Sequence, residues 1–163
     1  MNDYAQRVLA LLGDHKPLEV LAATPSRLED LFWELKEKGL GRSLGEGKWT
    51  ASQIFAHLTD AEIGYAFRVR QVLTEAGHRV QTFDQDSWLA LYRTVDVSLV
   101  LELFRALRLW NLELFRSLTP EQWSHLAVHP ERGEETLETM SKLLAAHDLN
   151  HLAQLEQIAA IKA

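Results

Sequence analysis

The chain has 163 residues, 47% of them hydrophobic and 25% charged, with a formal net charge of −6 and no cysteine. That length and balance fit one soluble domain with a sizeable core, and the missing thiols exclude disulfides, zinc–thiolate centres and a cysteine nucleophile. An acidic chain without a long basic run argues against nucleic-acid binding. No apolar run nears the roughly 20 residues that span a bilayer, and the start MNDYAQRVLALLGDHK lacks the marks of a secretion signal. A cytoplasmic protein with no membrane partner is therefore expected.

Helical periodicity recurs in four long stretches, and strand signals are nearly absent. The expectation is an all-α chain, one domain over residues 1–163, built as a four-helix bundle with no sheet. The first long helix runs from about Pro17 to Lys38, with Thr24-Pro25 predicting a kink or restart. Glycines at 39, 41, 45 and 47 then mark a loop. Thr50 and Gln53 form a T-x-x-Q capping box that opens the second helix, and Trp49 with Ile54 can staple its entry. This helix reaches about Ala76. Residues 77–95 form a long connection with a short helix near Ser87–Tyr92, long enough to cross the bundle or cover a site.

Asp96 can cap the third long helix, whose stripe Val100, Leu103, Leu107, Trp110 and Leu114 is spaced to face a core. Thr119-Pro120-Glu121-Gln122 opens a short turn, and residues 129–133 read as a loop. The fourth long helix runs from about Thr136 to Ile161.

On this last helix the apolar stripe is Leu137, Met140, Leu144, Leu155 and Ile158, and His147 and His151 fall inside it, one turn apart on one face. On the second helix the stripe is Ile54, Leu58, Ala61, Tyr65 and Val72, and His57 lies about 60° from its centre. Three imidazoles thus point inward from two helices, which must be neighbours for the rings to meet. Three nitrogen ligands converging on one point suit a divalent ion and leave a further position open. Hydrogen-bonded core histidines are the competing reading, and H-x-x-x-H alone is a weak signal.

Residues 49–62, W-T-A-S-Q-I-F-A-H-L-T-D-A-E, and 147–155, H-D-L-N-H-L-A-Q-L, resemble signatures of the DinB-like superfamily, as do F-D-Q-D-S-W at 83–88 and H-P-E-R-G at 129–133. The resemblance covers about Pro17 to Ala160. It implies an up-down-down-up four-helix bundle with one metal ion, Ni²⁺ or Zn²⁺, on His57, His147 and His151, and association as a homodimer. Members of the family include bacillithiol- or mycothiol-dependent S-transferases and isomerases, and others carry a metal-dependent hydrolase label. A small-molecule substrate and a low-molecular-weight thiol cosubstrate are the corresponding expectations. The nucleophile would be a metal-bound water or thiol, since the chain has no cysteine of its own.

Other residues are weighed against blander roles. Asp148 is a candidate to accept an N–H from a ligand histidine, or else makes an ordinary polar contact. Asp60 and Glu62 fall at the edges of the buried face. Arg68 shares the His57 face about 16 Å further along the axis and reads as an ion-pair partner. His125 and His129 read as surface-loop residues, and Trp88 as packing or a pocket wall. The leading function is a metal-dependent thiol S-transferase or hydrolase. Its rivals are a non-catalytic metal- or ligand-binding sensor module and a purely structural bundle.

Overall fold

The computed structural model describes residues 3–75 and 77–161, without the side chains of residues 3 and 4. Four long helices dominate: α2 (Pro17–Lys38), α3 (Ala51–Thr74), α5 (Val97–Ser117) and α7 (Leu137–Ala159). Shorter helices α1 (Asp3–Ala10), α4 (Gln85–Leu89) and α6 (Pro120–Trp123) fill the connections.

The helix starts follow side-chain chemistry. Thr50 accepts from the Gln53 N–H while the Gln53 side chain returns to the Thr50 N–H, which satisfies donors that a helix start leaves orphaned. Asp96 accepts from the N–H groups of Ser98 and Leu99 at α5, and Thr136 from Thr139 at α7. Pro25 does not break α2, which runs unbroken across it. A proline at this position leaves the carbonyl of Leu21 without its helical donor, and Arg108 Nη1 donates to that carbonyl at 3.1 Å. The predicted kink or restart is thus replaced by a continuous helix with its freed acceptor satisfied from α5.

Each long helix packs on two others: α2 on α5 and α7, and α3 on α5 and α7. The consecutive helices α2 and α3 therefore lie diagonally. One apolar cluster holds Leu21, Val72, Leu112 and Leu144, and the other holds Leu35, Ile54, Phe104 and Ile158. Following each helix from one cluster to the other gives the directions: α2 and α7 run one way, α3 and α5 the other. The bundle is up-down-down-up.

Two expectations are corrected. The chain carries a small sheet, ordered β1 (His78–Arg79), β2 (Leu126–His129), β3 (Gly133–Thr136), with β1 parallel to β2 and β3 antiparallel to it. Its strands have two to four residues, too few to show a period. The core face of α5 is Val97, Phe104, Arg108, Asn111, Leu112 and Phe115, whereas Leu103 and Trp110 are 44% and 66% exposed. Two polar residues on the inward face, Arg108 and Asn111, hid it from a reading of apolar spacing.

Candidate metal centre

Between the two apolar clusters lies a polar layer. Each long helix contributes to it: Thr24, then His57 and Glu62, then Arg108 and Asn111, then His147, Asp148 and His151. One half is an ion network. Arg108, fully buried, donates to Glu62 at 2.8 Å and to both carboxylate oxygens of Asp148, while Asn111 donates to Glu62 at 2.8 Å. Burial works against the Arg108 charge, and Asp148 and Glu62 overcome it and push its pKa up. Asp148 is thereby engaged by arginine rather than by a ligand histidine, which corrects the role considered for it. Glu62 belongs to the same network, and Asp60 accepts from the Tyr92 hydroxyl at 2.7 Å.

The other half is the histidine triad. His57 Nε2 lies 2.9 Å from His147 Nε2, and His151 Nε2 lies 3.2 Å from it. One ligand atom from each ring falls within 4.8 Å of the others. Nitrogens about 2.0–2.1 Å from a shared tetrahedral centre stand about 3.3 Å apart, so the two measured separations fit to within about half an ångström. The donor chemistry fits as well. His151 Nδ1 faces Gln154 Oε1 at 2.9 Å, which puts its proton on Nδ1 and turns the Nε2 lone pair toward the other rings. His57 Nδ1 and His147 Nδ1 are buried with no hydrogen-bond partner among the described residues.

All three rings are held neutral. Burial, then the neighbouring His151, pushes His57 down to about 3. Burial pushes His151 down to about 4, against the pull of Gln154. Burial, the other two rings and Arg108 drive His147 well below its ordinary value. Neutral imidazole is the ligating form. Trp49 caps the triad, its ring 4.7 Å from His57 and stacked 6.1 Å from His151, and its Nε1 is anchored on Asp86 at 2.9 Å. These residues could hold one divalent cation on three nitrogens.

A cleft of about 380 Å³ opens onto His57 and His147, and its far walls include Tyr65, Arg68, His129 and Arg132. Arg68 is therefore a cleft residue rather than the ion-pair partner expected: it has no carboxylate within 4.0 Å among the described residues. His129 is 3% exposed on β2, not in a surface loop. His125 meets the Val72 carbonyl, away from the triad. Trp88 packs against Phe83 with the rings tilted by 32° and their centroids 4.4 Å apart, and Phe83 lines the cleft. Arg132 and Gln154 lie within the segments 129–133 and 147–155, but the sequence does not single them out, because what places them is a hairpin and a ring orientation.

The sequence pattern of the DinB superfamily matches residues 21–155. The chain belongs to this superfamily. It is 26% identical over 162 residues to YfiT of Bacillus subtilis, spanning 90% of this chain and 91% of that protein. The solved YfiT structure, described as a probable metal-dependent hydrolase with an unusual four-helix bundle topology, superposes with a TM-score of 0.83 over 88% of this chain and 83% of its own. The Geobacillus kaustophilus protein GK0616, named for the same class of activity, is 29% identical over 86% of this chain and 81% of its own length. A mycothiol-dependent maleylpyruvate isomerase shares the fold, with a TM-score of 0.68 at 18% identity over 85% of this chain and 59% of that one.

Proposed function

We propose that this DinB superfamily member is a metal-dependent enzyme of hydrolase or thiol S-transferase type, with one divalent ion on His57, His147 and His151. The observation that carries the reading is that the converging Nε2 atoms sit at the end of a cleft sized for a small molecule. A structural site normally closes its shell with protein ligands, whereas here the described residues offer three nitrogens and an opening. A cation held there would supply Lewis-acid activation of a water or a thiol.

The chain's own contribution is orientation and exclusion of water. Gln154 fixes the His151 tautomer, Trp49 shields two of the rings, and Arg108 with its carboxylates holds α3, α5 and α7 together behind them. Ni²⁺ and Zn²⁺ are the ions expected. A thiol would have to arrive as a cosubstrate, because the chain has no cysteine.

Metal analysis tests the first step: one ion per chain in the wild type, lost in both His57→Ala and His151→Ala. Unchanged occupancy in both variants sinks the site. With metal loaded, turnover of activated esters and amides supports the hydrolase, and metal-dependent thiol binding followed by consumption of an electrophile supports the transferase. Metal binding without either reaction leaves the sensor module as the function.

A further inference from the structure

The cleft that reaches His57 and His147 is also lined by Arg68, which has no carboxylate within 4.0 Å among the described residues. Arg68 is 8% exposed and lies 5.7 Å from the ring centroids of both Tyr65 and Phe83. Its Nε donates to the Gln81 carbonyl at 3.0 Å, as does its Nη2. A carbonyl is a dipole and does not neutralise the guanidinium; burial first, and Arg132, work against its charge while Glu135 supports it. Arg132 lines the same cleft and is held differently. Its Nε and Nη2 make a two-pronged pair with the Glu135 carboxylate at 2.9 and 2.7 Å, which fixes the plane of the guanidinium and leaves Nη1 outside the fork.

His129 completes the group. Its Nδ1 accepts the Glu131 N–H at 3.1 Å, so in the neutral ring the proton sits on Nε2. Burial first, then Arg132 and Arg68, push its pKa down against the opposing pull of Glu135 and Glu131, which favours the neutral ring. The aspartates that line the cleft are already engaged: Asp84 caps α4, and Asp86 holds Trp49. Glu131 is exposed to water at the hairpin turn. Arg68, His129 and Arg132 thus bring three N–H donor side chains to one cleft, where Glu135 is paired with Arg132 and the carboxylates of Asp84, Asp86 and Glu131 also line the walls.

We propose that Arg68, His129 and Arg132 form an anion subsite that holds a carboxylate or phosphate group of the substrate across the cleft from the histidine triad. This deepens the function proposed above and rests on it only for why the anion is held there; the binding itself can be read without metal. The subsite would select substrates with an anionic group at the end remote from the reacting bond. It would then act through positioning, because a planar fork fixes direction as well as distance.

Succinate and inorganic phosphate, titrated into metal-stripped and into Zn²⁺-loaded protein, test it by NMR of the arginine Nε–H and histidine ring signals. Saturable binding of one or both is expected in both forms, with Arg68→Gln and Arg132→Gln each weakening it at least tenfold. Arg68→Lys should recover part of the loss, since it restores charge without the fork. Tighter succinate marks a carboxylate substrate, and tighter phosphate a phosphate ester. Succinamide, the neutral analogue, should not bind the wild type, a control that does not depend on how the variants fold. Equal response to succinate and succinamide, or affinity unchanged in both glutamine variants, overturns the subsite. Metal bound to the triad with no anion bound overturns it while leaving the catalytic reading standing. Anion bound with no metal taken up does the reverse.

Discussion

Arg108 shows what a single buried charge does in this bundle. It joins three helices through Glu62, Asp148 and the Leu21 carbonyl, and it stacks 4.7 Å over Phe104. Removing it leaves two carboxylates buried and unneutralised, which costs about 3–5 kcal/mol. Arg108→Met should lose about that much in urea unfolding. Adding Glu62→Gln and Asp148→Asn should return most of it, and a triple variant as unstable as the single would rule out uncompensated charge as the cause. The histidines make a second prediction at this scale. In metal-free protein His57 and His151 take protons only near pH 3 and 4, whereas in the unfolded chain they do so near pH 6.5. Between those limits the unfolded state binds more protons, so stability falls as pH drops below about 6.5, by up to about 1.4 kcal/mol per pH unit for each ring. His57→Gln should flatten the profile between pH 7 and pH 5. Parallel profiles for variant and wild type would contradict a buried neutral ring.

At the scale of elements, α3 depends on its cap, because the same few residues start the helix and place Trp49 over the triad. Thr50→Ala removes the side-chain acceptor and should cost about 1 kcal/mol. It should also loosen Trp49, visible as a change in near-ultraviolet dichroism with little change in helix content. The long helices were legible because caps and apolar spacing agree: α2 spans the predicted Pro17–Lys38, and α3 and α7 end two residues short of Ala76 and Ile161. The triad was legible because histidine in an apolar stripe is conspicuous. What stayed hidden was short or polar. α1 has eight residues, about two turns. β3 reads G-E-E-T, with Glu135 buried against Arg132, and an inward glutamate looks like loop until its partner is known. The anion-facing wall arises where that hairpin meets α3 and the 82–86 connector, a meeting that spacing along one helix does not reveal.

For the whole molecule, one ion held on the triad would tie α3 to α7 and so couple metal uptake to folding. Free Zn²⁺ at a hundred times its dissociation constant should add about 2.7 kcal/mol and raise the melting temperature by about 5–10 °C. EDTA should reverse the shift, and His57→Ala should abolish it; an identical melt with and without Zn²⁺ would argue against a preformed site. The homodimer expectation also belongs here. Phe32 and Phe115 are 5% and 3% exposed and belong to the core. Trp33, Phe67 and Trp110 are exposed by 57%, 57% and 66% and are the side chains a partner could cover. Light scattering at micromolar concentration should give twice 18.6 kDa; a species of 18.6 kDa alone rejects the dimer.

The small sheet has an evolutionary consequence. The three histidines lie on packed helices, where substitution disturbs two apolar clusters at once. Arg132 sits in the turn of a hairpin outside the bundle, His129 at the end of its first strand, and the connector carrying Phe83 and Asp84 lies beside them. Selection could therefore rewrite what the cleft recognises by changing or exchanging a short segment, while the three histidines are inherited intact. A lineage built this way would diversify its substrates faster than its chemistry.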